Sequence, residues 1–590
     1  MRNLQSIHAD RSVPSPRRTC IRALCLWLLA LSFGAAAAAR PPGAALATAH
    51  PLATQAGIEI LEAGGNAFDA AIAVAAVLGV VEPYGSGLGG GGFWLLQRGG
   101  DGTAVMLDGR ERAPLGAGRD LYLDAEGDVR PGASVNGPLA AAIPGTPAAL
   151  AHLAEEYGRL PLRQTLEPAI RIARDGFEVD ERFHRYAAMR LDELRRWPAS
   201  RAVFLVDGEP PPAGHRLRRP ALARTLEALA ERGRDGFYRG PVARALVDAV
   251  AGAGGIWTLE DLSAYRVKER APVRIDYGGA RIVAAPPPSS GGVALGSMLN
   301  ILSGYDLPEQ GAAGRAHLLI EAMRHAYRDR AEYLGDPDFH PVPVERLLSP
   351  AHARGKRDLI RPGEATPSSE LEPVAVPAGQ GADTTHYSIL DGEGNRVAAT
   401  LSINYLFGSG FVADGTGVLL NNEMDDFSAK PGVPNVYGLI GAEANAIEPG
   451  KRPLSSMTPT FVQSERGLAI LGTPGGSRII TMVLLGILEY LDGGDAQAIV
   501  SRPRLHHQYL PDRVFYERGA LDADTAEELA LMGYHLEPVS SPLTGGDAIF
   551  GNMQVVVWDK TAGRVEAASD PRGIGTAAVS AGPRTPLPAP

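Results

Sequence analysis

Cysteine is nearly absent from this 590-residue chain: Cys20 and Cys25 are the only two, and both lie close to the N-terminus. Everything after them therefore lacks disulfides, thiol nucleophiles and cysteine-based zinc sites. A basic block is also missing outside the first two dozen residues, and the formal net charge is -10. That balance argues against nucleic acid as a partner. Beyond the N-terminal segment no stretch of about 20 uninterrupted apolar residues occurs, so nothing further is expected to span a bilayer. Internal repeats are absent too. The remaining composition, 45% hydrophobic and 21% charged, is that of a globular protein with a large core. Length sets a soft expectation of two to four domains.

The N-terminus reads as a targeting segment. Arg17, Arg18 and Arg22 precede the apolar run "ALCLWLLALSFGAAAAA", and its alanines offer an A-x-A cleavage site near Ala39. We read residues 1–39 as a cleaved signal peptide; the alternative is a single membrane anchor. Cys25 stands at the start of the apolar run rather than its end, which argues against a lipoprotein. A cysteine-free exported chain fits a bacterial periplasm or the outside of a cell.

Residues 51–80, "PLATQAGIEILEAGGNAFDAAIAVAAVLGV", read as two helices. Gly64 and Gly65 can stop the first, and Asn66 with Asp69 can cap the second. The second is apolar nearly all round and is expected to be buried. Next, Gly85, Gly87 and Gly90 match G-x-G-x-x-G, but a helix precedes them and a strand, Phe93 to Gln97, follows. A dinucleotide fingerprint needs the reverse order, so we read these glycines as permitting close backbone packing. A second strand is expected from Thr103 to Asp108. Residues from about 140 to 335 look mostly helical, interrupted by the strand-like "RIDYGGARIVAAPPP". From Arg361 to Asp383 prolines, glycines and acids dominate, which reads as an exposed loop. The end, "GPRTPLPAP" (about 582–590), reads as a disordered tail.

A clean strand pattern then begins abruptly at Thr384. Pairing "TTHYSIL" with "RVAATLSIN" around the turn "DGEGN" sets Leu390 against Arg396, Ser388 against Ala398 and His386 against Thr400. Opposed residues share a face, so Thr384, Ser402 and then Asn404 line up at the end of the hairpin. Tyr387, Ile389, Val397, Leu401 and Ile403 fall on the other face, which suits a core. Two readings of this polar end stay open. It is the edge of an ordinary hairpin, or Thr384 is a nucleophile. A threonine hydroxyl needs a base, and its own α-amine can serve once the chain is cut before it. That amine has an ordinary pKa near 8, so an appreciable share is neutral at pH 7.

Several stretches carry a resemblance that decides between them: "DTTHYS", "LLNNEMDDFSAKPGVPNVYG", "KRPLSSMTPT", "GTPGGSRII" and "SDPR". From about Ala49 to Ser569 the chain resembles the γ-glutamyltransferase (glutathione hydrolase) family of N-terminal nucleophile hydrolases. The resemblance implies an α+β fold, a four-layer αββα sandwich built jointly by two chains cut from one precursor. Residues 40–383 would be the large subunit and 384–590 the small one, remaining together as a heterodimer. Thr384 would attack the carbonyl of Asp383 during maturation, then the γ-glutamyl amide of glutathione or a related compound. Water, an amino acid or a peptide would release the γ-glutamyl group, and no cofactor is implied.

Ser402 matches a position usually held by threonine, whose hydroxyl supports the nucleophile. Arg110, Ser455 and Ser456 match the set that binds the substrate's α-carboxylate. Asn404, Glu423 and Asp426 match the set that binds its α-ammonium. Gly475 and Gly476 match the oxyanion-binding turn, and Tyr437 lies on a segment resembling the lid of the pocket. These types make chemical sense without the family, since a γ-glutamyl group needs cationic and hydroxyl donors at one end and carboxylates at the other. Read alone, "NNEMDDF" is an acidic turn and "RERAP" a strand-end charge. His506 and His507 have no accompanying metal-ligand spacing, so we read them as structural and expect no metal. The alternatives are a glutaryl or cephalosporin acylase of the same superfamily, and an unprocessed binding homologue.

Overall fold

The hairpin expected after residue 383 forms in the expected register. Leu390 lies opposite Arg396, Ser388 opposite Ala398 and His386 opposite Thr400, and the ladder ends at Thr385 opposite Leu401. Its turn is fixed by Asp391, whose Oδ1 accepts the N–H groups of Glu393 and Asn395 at 2.9 and 3.0 Å. The same carboxylate accepts the N–H of Ala67 at 3.0 Å, which ties the hairpin to a helix N-terminus.

The computed structural model describes residues 40–100, 102–371, 384–430, 432–541, 546–547 and 550–581. Residues 1–39, the expected signal peptide, the stretch 372–383 with the expected cleavage residue Asp383, and residues 582–590, the expected tail, lie outside the described residues.

Thirteen strands make two antiparallel sheets. In chain order they are β1 (Gly43–Thr48), β2 (Gly91–Gln97), β3 (Ala104–Gly109) and β4 (Lys268–Arg270). Then come β5 (Val273–Tyr277), β6 (Ala280–Ala284), β7 (Thr385–Leu390) and β8 (Arg396–Ser402). The last are β9 (Thr460–Gln463), β10 (Gly467–Gly472), β11 (Gln554–Asp559), β12 (Arg564–Ser569) and β13 (Thr576–Ala581). The first sheet runs β13-β1-β7-β8-β2-β3-β4 and the second β12-β11-β10-β9-β6-β5. Strands from before and after residue 383 pair with each other in both sheets: β1 is hydrogen-bonded to β13 on one side and β7 on the other, β8 pairs with β2, and β9 pairs with β6.

Side-chain alternation along each strand explains the layers. Leu46, Trp94, Leu96, Tyr387, Ile389, Val397 and Leu401 point from the first sheet into one core, shared with α1 (Pro51–Glu62) and α2 (Ala67–Val81). Phe93, Leu95, Leu390 and Ala398 point the other way and meet Phe461, Ile470 and Val556 of the second sheet. Three helices, α3 (Gly291–Leu302), α4 (Ala312–Tyr333) and α5 (Ile479–Leu491), complete that second core. The order helix, sheet, sheet, helix is the expected αββα arrangement.

The two early helices form where expected. Gly64 at φ 90 follows the first, and Asn66 with Asp69 makes a capping box on the second, all of whose residues are buried. The glycine run works by close approach: a Cβ on Gly89 would collide with the Leu419 carbonyl, and one on Gly90 with that of Ser402. The face of β7 carrying His386 and Ser388 is a sealed polar seam between the sheets. Ser388 Oγ donates to the Gln554 carbonyl at 3.0 Å, and the His386 ring, pushed down to about 3 by burial, hydrogen-bonds with Thr400 Oγ1 at 2.8 Å.

One expectation needs correction. The run beginning at Arg361 is not simply an exposed loop, because Thr366 and Ser368 are buried. Ser368 N–H donates to Asp512 Oδ2 at 2.7 Å, its Oγ donates to the Tyr509 carbonyl at 2.7 Å, and Arg324 donates to that Oγ at 2.5 Å. Composition alone cannot reveal such docking, since the partners lie far along the chain.

Candidate active site

Thr384 precedes the first residue of β7, and Ser402 is the last residue of β8. Their hydroxyl oxygens are 3.4 Å apart, as the register requires. The Asn404 N–H donates to Ser402 Oγ at 2.8 Å, so the Ser402 proton remains available to its neighbour. Asn404 itself sits at φ 72, a left-handed conformation that asparagine tolerates better than most residues. Its Nδ2 donates to the Asn422 carbonyl at 3.0 Å.

The β10–α5 connection passes the same place. Gly475 and Gly476 have φ of 142 and 57, and residues 476–478 make a single 3-10 turn before α5. Such a turn bares backbone N–H groups at a helix entrance, where they suit an oxyanion. Gly476 lines the cavity beside Thr384, and Gly475 precedes it in the same turn.

Charge is concentrated at the other end of the cavity. Arg110 follows β3, where its own N–H donates to Asp108 Oδ1 at 2.9 Å. Its fully buried guanidinium donates to the carbonyls of Pro453 and Leu454 at 3.1 Å each and pairs with both Glu423 and Asp426. Those acids sit on one 3-10 turn, Glu423–Asp426, fixed in part by Asn421 Oδ1 accepting the Glu423 N–H at 2.9 Å. Burial works against the Arg110 charge, yet Glu423, Asp426 and Glu111 outweigh it and hold the guanidinium above its ordinary range. Burial raises both Glu423 and Asp426 from the usual carboxylate range despite the opposing pull of Arg110. The adjoining buried Glu111 is pushed up to about 7, again chiefly by burial.

The paired serines are set as donors. Ser455 Oγ accepts the Met457 N–H at 3.1 Å, and Ser456 Oγ accepts from Arg330 Nη2 at 3.2 Å. Each hydroxyl thus has a lone pair occupied and a proton to give. Tyr437 closes one wall, its hydroxyl donating to the Asn404 carbonyl at 2.5 Å. Its segment is tied down by Asn435 Nδ2 donating to Asp426 Oδ1 at 3.1 Å and by the Val436 N–H donating to Asp425 Oδ2 at 2.9 Å.

One cavity of about 290 Å³ therefore gathers Thr384, Ser402 and Gly476 at one end, Arg110, Glu423 and Asp426 at the other, and Asn404, Tyr437, Ser455 and Ser456 around it. Leu439, Met457 and Ile479 supply an apolar wall, and their sequence context, ordinary core residues, gave no sign of it. His506 and His507 lie apart from this set. His506 bonds Thr481 and Gln508 at 2.9 Å each, and His507 bonds Asp512 at 3.1 Å. Among the described residues no group of three or more histidine, aspartate or glutamate side chains is placed to hold a metal ion.

Comparison with known proteins adds to this geometry. The family model described as Gamma-glutamyltranspeptidase matches residues 53–580. A glutathione hydrolase proenzyme of Pseudomonas sp. (strain A14) is 46% identical over 84% of this chain and 88% of its own. A glutathione hydrolase proenzyme of Escherichia coli (strain K12) is 41% identical over 90% of each. Among solved structures, cephalosporin acylase from Bacillus halodurans superposes with a TM-score of 0.79 at 29% identity, covering 97% of this chain and 99% of that one.

Proposed function

The chain belongs to the gamma-glutamyltranspeptidase family, and we propose that it works by a γ-glutamyl ester on Thr384, formed after the chain cuts itself between Asp383 and Thr384. It is a γ-glutamyltransferase that acts on glutathione and related γ-glutamyl compounds. The observation that carries the proposed mechanism is the placing of a hydroxyl pair, Thr384 and Ser402 at 3.4 Å, in one cavity with Arg110, Glu423 and Asp426.

In maturation the Thr384 Oγ attacks the Asp383 carbonyl carbon, the C–N bond breaks and an ester forms. Water opens the ester, which frees the Asp383 carboxylate, the Thr384 hydroxyl and the Thr384 amine. In turnover that amine takes the hydroxyl proton as Oγ attacks the γ-carbonyl. The N–H groups of Gly475 and Gly476 hold the oxyanion, a contribution of about 3 kcal/mol per donor. The amine proton passes to the leaving nitrogen, and water or the amine of an amino acid or peptide then takes the acyl group.

Recognition replaces internal ion pairs. The substrate's α-carboxylate inserts against Arg110, Ser455 and Ser456, and its α-ammonium against Glu423, Asp426 and Asn404. The strand pairing supports a heterodimer of the pieces 40–383 and 384–590 after the cut, because separating them would break ladders in both sheets. The leader of residues 1–39 supports export to a periplasm or the cell exterior, and no helix among the described residues is long and apolar enough to cross a membrane.

The acylase reading is favoured by the superposition with a cephalosporin acylase. The two acids in the cavity wall, Glu423 and Asp426, favour an acyl group that carries an α-ammonium instead. Paired assays on γ-glutamyl and glutaryl anilides separate them. We expect γ-glutamyl hydrolysis that far exceeds glutaryl hydrolysis; the reverse preference would overturn the substrate assignment.

A further inference from the structure

Arg330 is a buried arginine with an unusual set of partners. It lies on α4 and is 5% exposed, yet no carboxylate among the described residues is within ion-pair distance of it. Its Nε donates to Ser290 Oγ at 3.0 Å and its Nη2 to Ser456 Oγ at 3.2 Å. Ser290 Oγ in turn donates to the Ser455 carbonyl at 2.7 Å. The chain 453–456 is thus gripped twice. Arg110 holds the carbonyls of Pro453 and Leu454, and Arg330 holds Ser455 through Ser290 and Ser456 directly. Arg110 is in direct ion-pair contact with acids, whereas Arg330 feels Asp426 only at longer range. A buried guanidinium whose side-chain hydrogen bonds go to hydroxyls is costly, and Asp426 at longer range offsets only part of that cost.

Resting on the γ-glutamyl reading above, we infer that Arg330 is a positioning residue of the α-carboxylate subsite, which turns the Ser456 hydroxyl toward the substrate and sets a second positive charge behind it. By filling a lone pair of Ser456 Oγ, Arg330 turns that hydroxyl so that its proton can point into the cavity. The cation also polarises the O–H bond and strengthens its hydrogen bond to an anion. Burial draws Arg330 below the ordinary arginine range, yet that range starts so high that the group stays charged at neutral pH. Placement on α4 gives the arrangement rigidity. Tyr327, three residues earlier on the same helix face, donates its hydroxyl to the Ser477 carbonyl beside the oxyanion turn.

The test compares Arg330→Met and Arg330→Lys with the unaltered full-length protein. Two substrates are used, a γ-glutamyl anilide and the same anilide with its α-carboxylate converted to an amide. For Arg330→Met we expect KM for the first to rise about tenfold with kcat within about threefold, and kcat/KM for the amide to stay within about twofold. Arg330→Lys keeps the charge without the fork and should fall between. An equal loss on both substrates, or an unchanged KM on the first, would overturn the inference. Should Arg330→Met fail to mature on a denaturing gel, the ratio of the two substrates in Arg330→Lys decides by the same criterion. Absence of γ-glutamyl activity in the unaltered protein would instead sink the underlying reading.

Discussion

The two ends of the cavity are built from different materials. The Thr384 end uses hydroxyls and backbone N–H groups, from Ser402, Asn404 and the Gly475–Gly476 turn, and carries no side-chain charge. The Arg110 end packs a buried guanidinium against Glu423 and Asp426, with Glu111 adjoining. The first arrangement needs only a sheet register and a turn. The second needs opposite charges to be buried together, and each is costly without its partner. Side-chain changes at the Thr384 end should therefore alter rate with little loss of stability. Changes at the Arg110 end should alter affinity and stability together.

The sharpest way to break this contrast is Thr384→Ala. It removes the nucleophile, so activity should fall by roughly 10⁴-fold or more, and the chain should remain uncut on a denaturing gel. Its melting temperature should stay close to that of an uncut precursor. Gly475→Pro is next in size. It deletes an oxyanion donor, and kcat should drop by about 10² or more. Proline also cannot adopt the φ of 142 found there. Arg110→Met should raise KM for a γ-glutamyl anilide by about 100-fold. Unlike Thr384→Ala, it should also lower the melting temperature, since Glu423 and Asp426 lose their cation.

The smallest effect concerns pH. Burial raises the Glu111 carboxyl from 4.5 to about 7, so folding favours its protonated form. The stability that this contributes is full below pH 4.5 and is lost as pH rises through about 7. Glu111→Gln has no such loss. Melting curves should show the variant gaining on the unaltered protein between pH 4.5 and 7; a constant difference would contradict the assignment.

The same contrast governs what the sequence made legible. The hairpin could be read because strand alternation is local: Tyr387, Ile389, Val397 and Leu401 needed one face, and that fixed Thr384 beside Ser402. Asn66 and Asp69 announced their helix for the same reason. The charged end was different. Arg110 and Glu423 are 313 positions apart, and no periodicity links them; their grouping rested on resemblance. Arg330 was hidden in "RHAYRDRAEY", where one arginine among several looks like a solvated face. Its importance came from what packs on α4, which helix spacing cannot show. Thr366 and Ser368 were likewise read as exposed, because their partners Arg324, Tyr509 and Asp512 are distant in sequence.

The central claim is that Thr384 becomes a chain terminus. N-terminal sequencing of the smaller band of the purified protein tests it most directly. The account predicts two bands, the smaller beginning Thr-Thr-His-Tyr-Ser. A single full-length band from protein that still turns over a γ-glutamyl anilide, or a cut at any other bond, would contradict it.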